Sequence, residues 1–513
     1  QKLKEEEQGW HRISSFRCRG EEQAFSILGT VMEIPLSKPI LPGETVELEM
    51  RFKSLVPIQI RRSGRNSSEG IDYSMTQWYP KLAAFDEDGW HTDPYIAREF
   101  YGNFGRFDVK ITLPSEYVVG ATGVLQNPEE VGHGYGKGSS KKSGGKKTLQ
   151  WHFVAENVHD FAWAADPDYE HKTLQVTDGP LLHFLYLPKT NEDGKWDKLQ
   201  PLCRAFFEEM NQTFGPYPYP QFSFVQGGDG GMEYPMLTLI TASGDLDGLV
   251  HVAFHEAIHN WFYGIFGFHE GRYPCLDEGF TTYVTDLMVY EVYESGEQPF
   301  YWQSYQAYRM MVSDANRQPM STHADWYNQN RSYSLSSYIG GAVFLNQLRY
   351  ILGEDAFQNG MQRFYRHWKF KHPKPEDFVR EMERAGQMEL DWYHREFIFS
   401  THTIDYAIDS VWSLGNKTMV RLERKGLFPM PIDLAWKRKN GPLGLALIPL
   451  DVQRGVKTPK RTWNEVIQAP AWEWVRTHYE IELPVPMNDL EVILIDPDQL
   501  MVDQDPENNL WQP

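Results

Sequence analysis

At 513 residues the chain is too long for one ordinary domain and long enough for two to four, each with its own core. Its formal charge of −20 excludes a surface built to grip the phosphate backbone of nucleic acid, which needs clustered Lys and Arg. No apolar run reaches the ~18–20 residues of a membrane span, since stretches such as 441–452 are short and broken by proline. Cys18, Cys203 and Cys275 are too few and too scattered for a disulfide framework, and read as small buried residues.

Residues 1–188 read as a β-rich N-terminal domain. Segments 44–52, 106–113 and 149–155 alternate or are rich in β-branched and aromatic residues, with turn residues between them. Residues 133–148 are a Gly/Ser/Lys stretch that cannot bury apolar area, and read as a solvated hairpin insertion. Over 189–402 the texture becomes helical. One strand, 222–226, precedes segments of helical period that contain His255, Glu278, Tyr338 and Phe364, punctuated by Gly and Pro. The β texture returns over 403–513, where 418–424 alternates after a Gly415-Asn416 turn and 491–498 reads as a buried strand; a β-sandwich is expected. The expected class is thus multidomain α+β, with a mostly helical domain between two β-rich ones.

His255-Glu256-Ala257-Ile258-His259 fits H-E-x-x-H. Residues i and i+4 share one face of a helix, so two imidazoles one turn apart can meet one zinc ion. Phe254, Ile258, Trp261 and Phe262 make the segment apolar nearly all round, and two imidazoles buried there without a metal would be costly. Eighteen residues after His259, Glu278 stands at the head of the next helical segment. Gly267, Gly271 and Pro274 break the chain between, so that the second helix can fold back. His255, His259 and Glu278 leave a fourth zinc position open, as a catalytic site requires. His251 reads as a helix-start residue and His269 lacks a partner, because Tyr273 stands four residues on.

These motifs resemble those of the gluzincin zinc aminopeptidases, the family of aminopeptidase N and leukotriene hydrolase. The likeness extends to Gly230-Gly231-Met232-Glu233-Tyr234, similar to the family's G-(A/G)-M-E-N, and to Tyr338-Ile339-Gly340-Gly341, similar to its Y-x-K-G. It implies a thermolysin-like catalytic domain, one Zn2+ per chain, and peptides with a free N-terminus as substrates. Tyr234 in place of Asn and Gly340 in place of Lys depart from the pattern. Family members carry about a hundred more residues ahead of this start, so an incomplete N-terminal domain is expected. The chain starts with Gln, not Met, which favours an exported protein over a cytoplasmic one.

The residues suggest a division of labour. Glu256, next to a ligand, is the expected general base for the attacking water, and Tyr338 the donor to the tetrahedral oxyanion. The resemblance makes Glu233, within 230–233, the carboxylate that captures the substrate's α-ammonium, with Gln77 a candidate for the same pocket. Asp286 is a candidate hydrogen-bond partner for a ligand histidine or a packing residue. The alternatives are an endopeptidase or epoxide-hydrolase-like enzyme on the same site, or an inactive scaffold.

Overall fold

The computed structural model describes residues 3–96, 98–136, 147–294, 296–439 and 441–513. The centre of the Gly/Ser/Lys stretch, 137–146, lies outside the described residues. The chain forms two compact units, residues 1–211 with 216–267 and residues 212–215 with 268–513.

The first unit is mainly β. Strand Thr148–Val158 shows why: Leu149, Trp151, Phe153 and Ala155 alternate inward along it, and it pairs antiparallel with Gly105–Pro114. Trp151 and Phe153 join Phe161, Trp163 and Val119 in one apolar cluster. A five-stranded sheet follows, in the order Glu170–Gln175, Leu181–Tyr186, Gln221–Gln226, Leu237–Ile240, Gly231–Tyr234. Leu181–Tyr186, Gln221–Gln226 and Leu237–Ile240 run parallel, and helix Lys195–Thr213 makes the crossover between the first two. All six residues of Gln221–Gln226 are buried, as a parallel strand covered on both faces requires.

Only this last strand is expected from the sequence between 189 and 402. Gly231–Tyr234 and Leu237–Ile240 are four residues each, too short for alternation to show. Helix Leu246–Ile258 then packs on the sheet, and its Phe254 stacks on Phe206 of the crossover helix at 4.6 Å between ring centroids.

The second unit begins with helices. Cys275–Gly279 is a π-helical turn that continues as the α-helix Phe280–Met288 and closes in a second π turn, Val289–Tyr293. The π turn Leu335–Gly340 leads in the same way into the helix Gly341–Leu352, which is buried along almost its whole length. The two helices meet at glycines: a Cβ on Gly341 would lie 2.5 Å from Gly279 Cα. Helices Glu354–Trp368, Pro375–Gly386 and Asp391–Phe399 complete the helical part.

Two sheets follow. Tyr406–Leu414 and Lys417–Arg424 form a hairpin over Gly415, whose φ of +62° suits the first central position of its two-residue turn, and His478–Leu483 adds to it. The second sheet has five strands, with Leu490–Ile495 between Ile432–Arg438 and Leu510–Trp511. A β-rich start, a helical middle and a β-sheet end are the expected α+β class. The three cysteines are buried and unbridged, as expected. Among the described residues, no helix is long and apolar enough to cross a membrane.

Candidate metal centre

Asp245 starts the helix that carries the histidine motif, its carboxylate accepting the Gly248 N–H at 3.0 Å. His255 lies in the last turn. His259 follows Ile258 with φ −54° and ψ −24°, and its N–H still bonds to the His255 carbonyl at 3.3 Å. The i, i+4 relation therefore survives the helix end. The two Nε2 atoms are 3.3 Å apart, with the ring planes at 86°. Two nitrogens held at ~2.0–2.1 Å by one tetrahedral zinc would lie about 3.3–3.4 Å apart, so the pair fits the ion. His251 is exposed and sits in the second turn of this helix, because the Asp245 cap opens it earlier than its histidines suggest.

The acid next to the first histidine is buried against the sheet. A Cβ on Gly231 would collide with Glu256 Oε1 and lie 2.9 Å from Val252 Cγ2, so the strand backbone lies directly on the Glu256 carboxylate. Glu233, two residues along the same strand, is also buried, and its Oε1 has no hydrogen-bond partner among the described residues. Glu233, Glu256 and His259 bring their ligand-type atoms within 4.8 Å of one another. Gly230 is exposed with φ +83°, whereas the Met232 side chain is buried in the apolar cluster of the sheet.

The Tyr234 departure has a local explanation. Its hydroxyl donates to Gln77 Oε1 at 3.1 Å, and Gln77 Nε2 is buried without a partner among the described residues. The structure thus brings Gln77 to the strand that carries Glu233.

Two further residues here were not legible in the sequence. Asn260 is fully buried; its Oδ1 accepts the Met236 N–H at 2.7 Å and its Nδ2 donates to the Tyr234 carbonyl at 3.2 Å. It ties the chain just after His259 to the turn that ends the Glu233 strand. Arg62 pairs with Glu99 at 2.5 Å and presents Nη1 to Met232 Sδ. Burial opposes its charge, but Glu99 and Glu233 outweigh that and raise its pKa above the ordinary value. An amide between His259 and the apolar Trp261-Phe262 was the available signal for Asn260. Arg62, in a loop, offered none.

In the second unit Glu278 is buried in the Cys275–Gly279 turn and Tyr338 half-buried in the Leu335–Gly340 turn. The Tyr338 hydroxyl donates to Glu278 Oε1. Asp286 Oδ2 accepts from the Ser304 hydroxyl at 2.6 Å, and burial pushes its carboxyl up to about 7.

A mixed α+β fold, an H-E-x-x-H helix whose imidazoles fit zinc, and a buried downstream Glu are the features that the comparisons with known proteins bear on. Residues 203–397 match the peptidase family M1 domain, and the resemblance read from the sequence holds. A stretch of 66 residues is 38% identical to aminopeptidase N of Haemophilus influenzae, spanning 13% of this chain and 8% of that relative. An M1 zinc metallopeptidase from Deinococcus radiodurans has a similar fold, at a TM-score of 0.55 and 17% identity, over 76% of this chain and 84% of that one. So does a substituted two-domain M1 zinc metallopeptidase bound to L-arginine, at 0.55 and 16% with the same coverage.

Proposed function

We propose that this protein is a zinc aminopeptidase that hydrolyses the N-terminal bond of peptides, with the metal held by His255, His259 and Glu278. The observation that carries the reading is the grouping of Glu233, Glu256 and His259, two buried carboxylates beside a ligand imidazole. Zinc, when bound there, supplies the Lewis acidity that brings a water's pKa towards ~7 and polarises the scissile carbonyl.

The chain's own residues supply the rest. Glu256 takes the proton of the attacking water and returns it to the leaving nitrogen. Its seat against the Gly231 backbone fixes the carboxylate for both transfers. Tyr338 donates its phenolic hydrogen to the oxyanion, a contact worth ~2.7–4 kcal/mol in comparable sites. Glu233 receives the α-ammonium, and a substrate so anchored is cut one residue in. Arg62 is paired with Glu99, which leaves the Glu233 carboxylate to meet the ammonium.

The test compares fluorogenic aminoacyl substrates with an N-acetylated peptide, in the parent and in Glu233→Ala. Removing one partner of a buried charge pair costs ~2–4 kcal/mol, so kcat/KM on free amines should fall ~30- to 10³-fold. The blocked peptide should be cleaved poorly by both. Equal rates on blocked and free peptides in the parent would move the reading to an endopeptidase.

A further inference from the structure

Glu233 is buried, and its Oε1 accepts no hydrogen bond among the described residues, although a guanidinium stands close by. Arg62 feels the Glu233 charge: burial works against its own, and Glu99 and then Glu233 outweigh that and raise its pKa. A buried carboxylate and a buried guanidinium ordinarily pair, because an uncompensated buried charge is costly. Here that pairing is withheld. Arg62 Nη2 lies 2.5 Å from Glu99 Oε1 and Nη1 faces Met232 Sδ, and no ion pair joins Arg62 to Glu233 among the described residues.

The arginine is fixed from its backbone outwards. Its φ of +54° lies in the left-handed region, which a residue with a Cβ enters at a cost. Asp229, in the loop ahead of the Glu233 strand, accepts the Arg62 N–H at 2.5 Å, and Gln59 Nε2 donates to the Arg62 carbonyl at 3.1 Å. These two bonds hold the strained residue against the loop that leads into Gly231–Tyr234. The guanidinium therefore stays beside Glu233, and Glu99 decides what it pairs with. A carboxylate oxygen of Glu99 lies within 4.8 Å of one of Glu233, so the two acids offer themselves to one cation. The Arg62 and Glu99 side chains are only 11% and 9% exposed, so water does little to screen that choice.

We propose that Glu99 is a positioning residue for amine capture: it engages Arg62, holds the guanidinium off Glu233, and keeps that carboxylate open to an ammonium group. The inference rests on the aminopeptidase reading, in which Glu233 meets the α-ammonium. Without the Glu99 charge, Arg62 acts on Glu233 alone and competes with the ligand for it. Without Arg62 as well, the competition ends.

Calorimetric titration of the zinc-loaded protein with leucine hydroxamate and with its des-amino analogue isolates this effect. Both compounds carry the same zinc-binding group and differ only in the amine. In the parent the amine should tighten binding ~30-fold or more, as one buried charge pair does. Glu99→Gln should lower that preference by about tenfold or more, and Glu99→Gln combined with Arg62→Met should return it to within about threefold of the parent. Should Glu99→Gln fail to fold, Glu99→Asp, one methylene shorter, loosens the hold on Arg62 and should lower the preference by at least about threefold. A pair that serves structure alone lowers urea stability in Glu99→Gln and leaves the preference at the parent's value, which overturns the proposal. A double variant as indifferent to the amine as Glu99→Gln overturns it too, and makes Glu99 itself a contact of the ammonium. A parent that binds both compounds alike overturns the amine-capture reading, and this inference with it.

Discussion

Gly341→Ala tests how the two helices of the second unit aim Glu278 and Tyr338. The new Cβ would lie 2.5 Å from Gly279 Cα and 3.0 Å from the Cys275 carbonyl oxygen. Both obstacles are backbone, so no side chain can swing aside. Carbon atoms settle at ~3.5–4.0 Å, and the helices must separate by about 1 Å at the crossing. Helix propensity favours Ala over Gly by about 1 kcal/mol, whereas overpacking costs ~1–3 kcal/mol. Because backbone blocks the relief, the steric effect wins, with a net loss of about 1–2 kcal/mol. Glu278 adjoins Gly279 and Tyr338 is three residues before Gly341, so both side chains shift with the crossing. A misplacement of about 1 Å can cost ~10²-fold in rate. Urea denaturation, chelator competition for zinc and turnover of an aminoacyl fluorophore should all move together: lower stability, weaker zinc binding, slower hydrolysis. Gly279→Ala should behave alike, since its Cβ would lie 2.5 Å from Gly341 Cα and 2.8 Å from the Ser337 carbonyl oxygen. A Gly341→Ala protein at least as stable as the parent, with kcat/KM within about threefold, would refute the reasoning.

Three other outcomes are expected. Asn260→Ala leaves the Met236 N–H and the Tyr234 carbonyl buried without their partner, at ~1–3 kcal/mol each, so urea denaturation should show a loss of about 2–6 kcal/mol; a change below ~0.5 kcal/mol would remove Asn260 from this role. Glu256→Gln should retain zinc by metal analysis yet lose nearly all turnover, whereas Glu278→Ala should lose zinc as well; near-native turnover in Glu256→Gln would displace it as the base. Asp286, raised to about 7, binds its proton more tightly folded than unfolded, so its contribution to stability is complete below ~4 and lost as pH rises through about 7. Asp286→Asn should flatten the fall in stability between about pH 4 and 7; a denaturation series over that range with an unchanged slope would contradict this.

Much of the candidate site was legible because spacing carried it. The i, i+4 histidines sit on one helical face, and the structure gives their nitrogens the separation zinc needs. Glu233 and Glu256 were singled out by motif, and lie together. The long strands, such as Thr148–Val158, were legible from inward alternation. What stayed hidden depends on contacts distant in sequence or on elements too short to have a period. The strands Gly231–Tyr234 and Leu237–Ile240 are of the second kind. Asn260 and Arg62 are of the first: each acts through partners that only folding brings near. Gly341 was noticed as part of a motif, but the reason for it and for Gly279, a backbone crossing, is a tertiary fact.

The π-helical turns at Cys275–Gly279 and Leu335–Gly340 have a consequence for insertions and deletions. A π turn holds about one residue more than an α turn, and such turns arise when a helix absorbs an extra residue. The aim of Glu278 and of Tyr338 is therefore set by residue count as much as by residue type. Deleting one residue from either turn would let it close to α geometry and swing the side chains on one side of the cut by about 100° around the axis. Surface loops elsewhere in the chain can drift in length. An alignment gap falling in either of these two turns would mark a homologue in which the counterpart of Glu278 or Tyr338 is aimed differently.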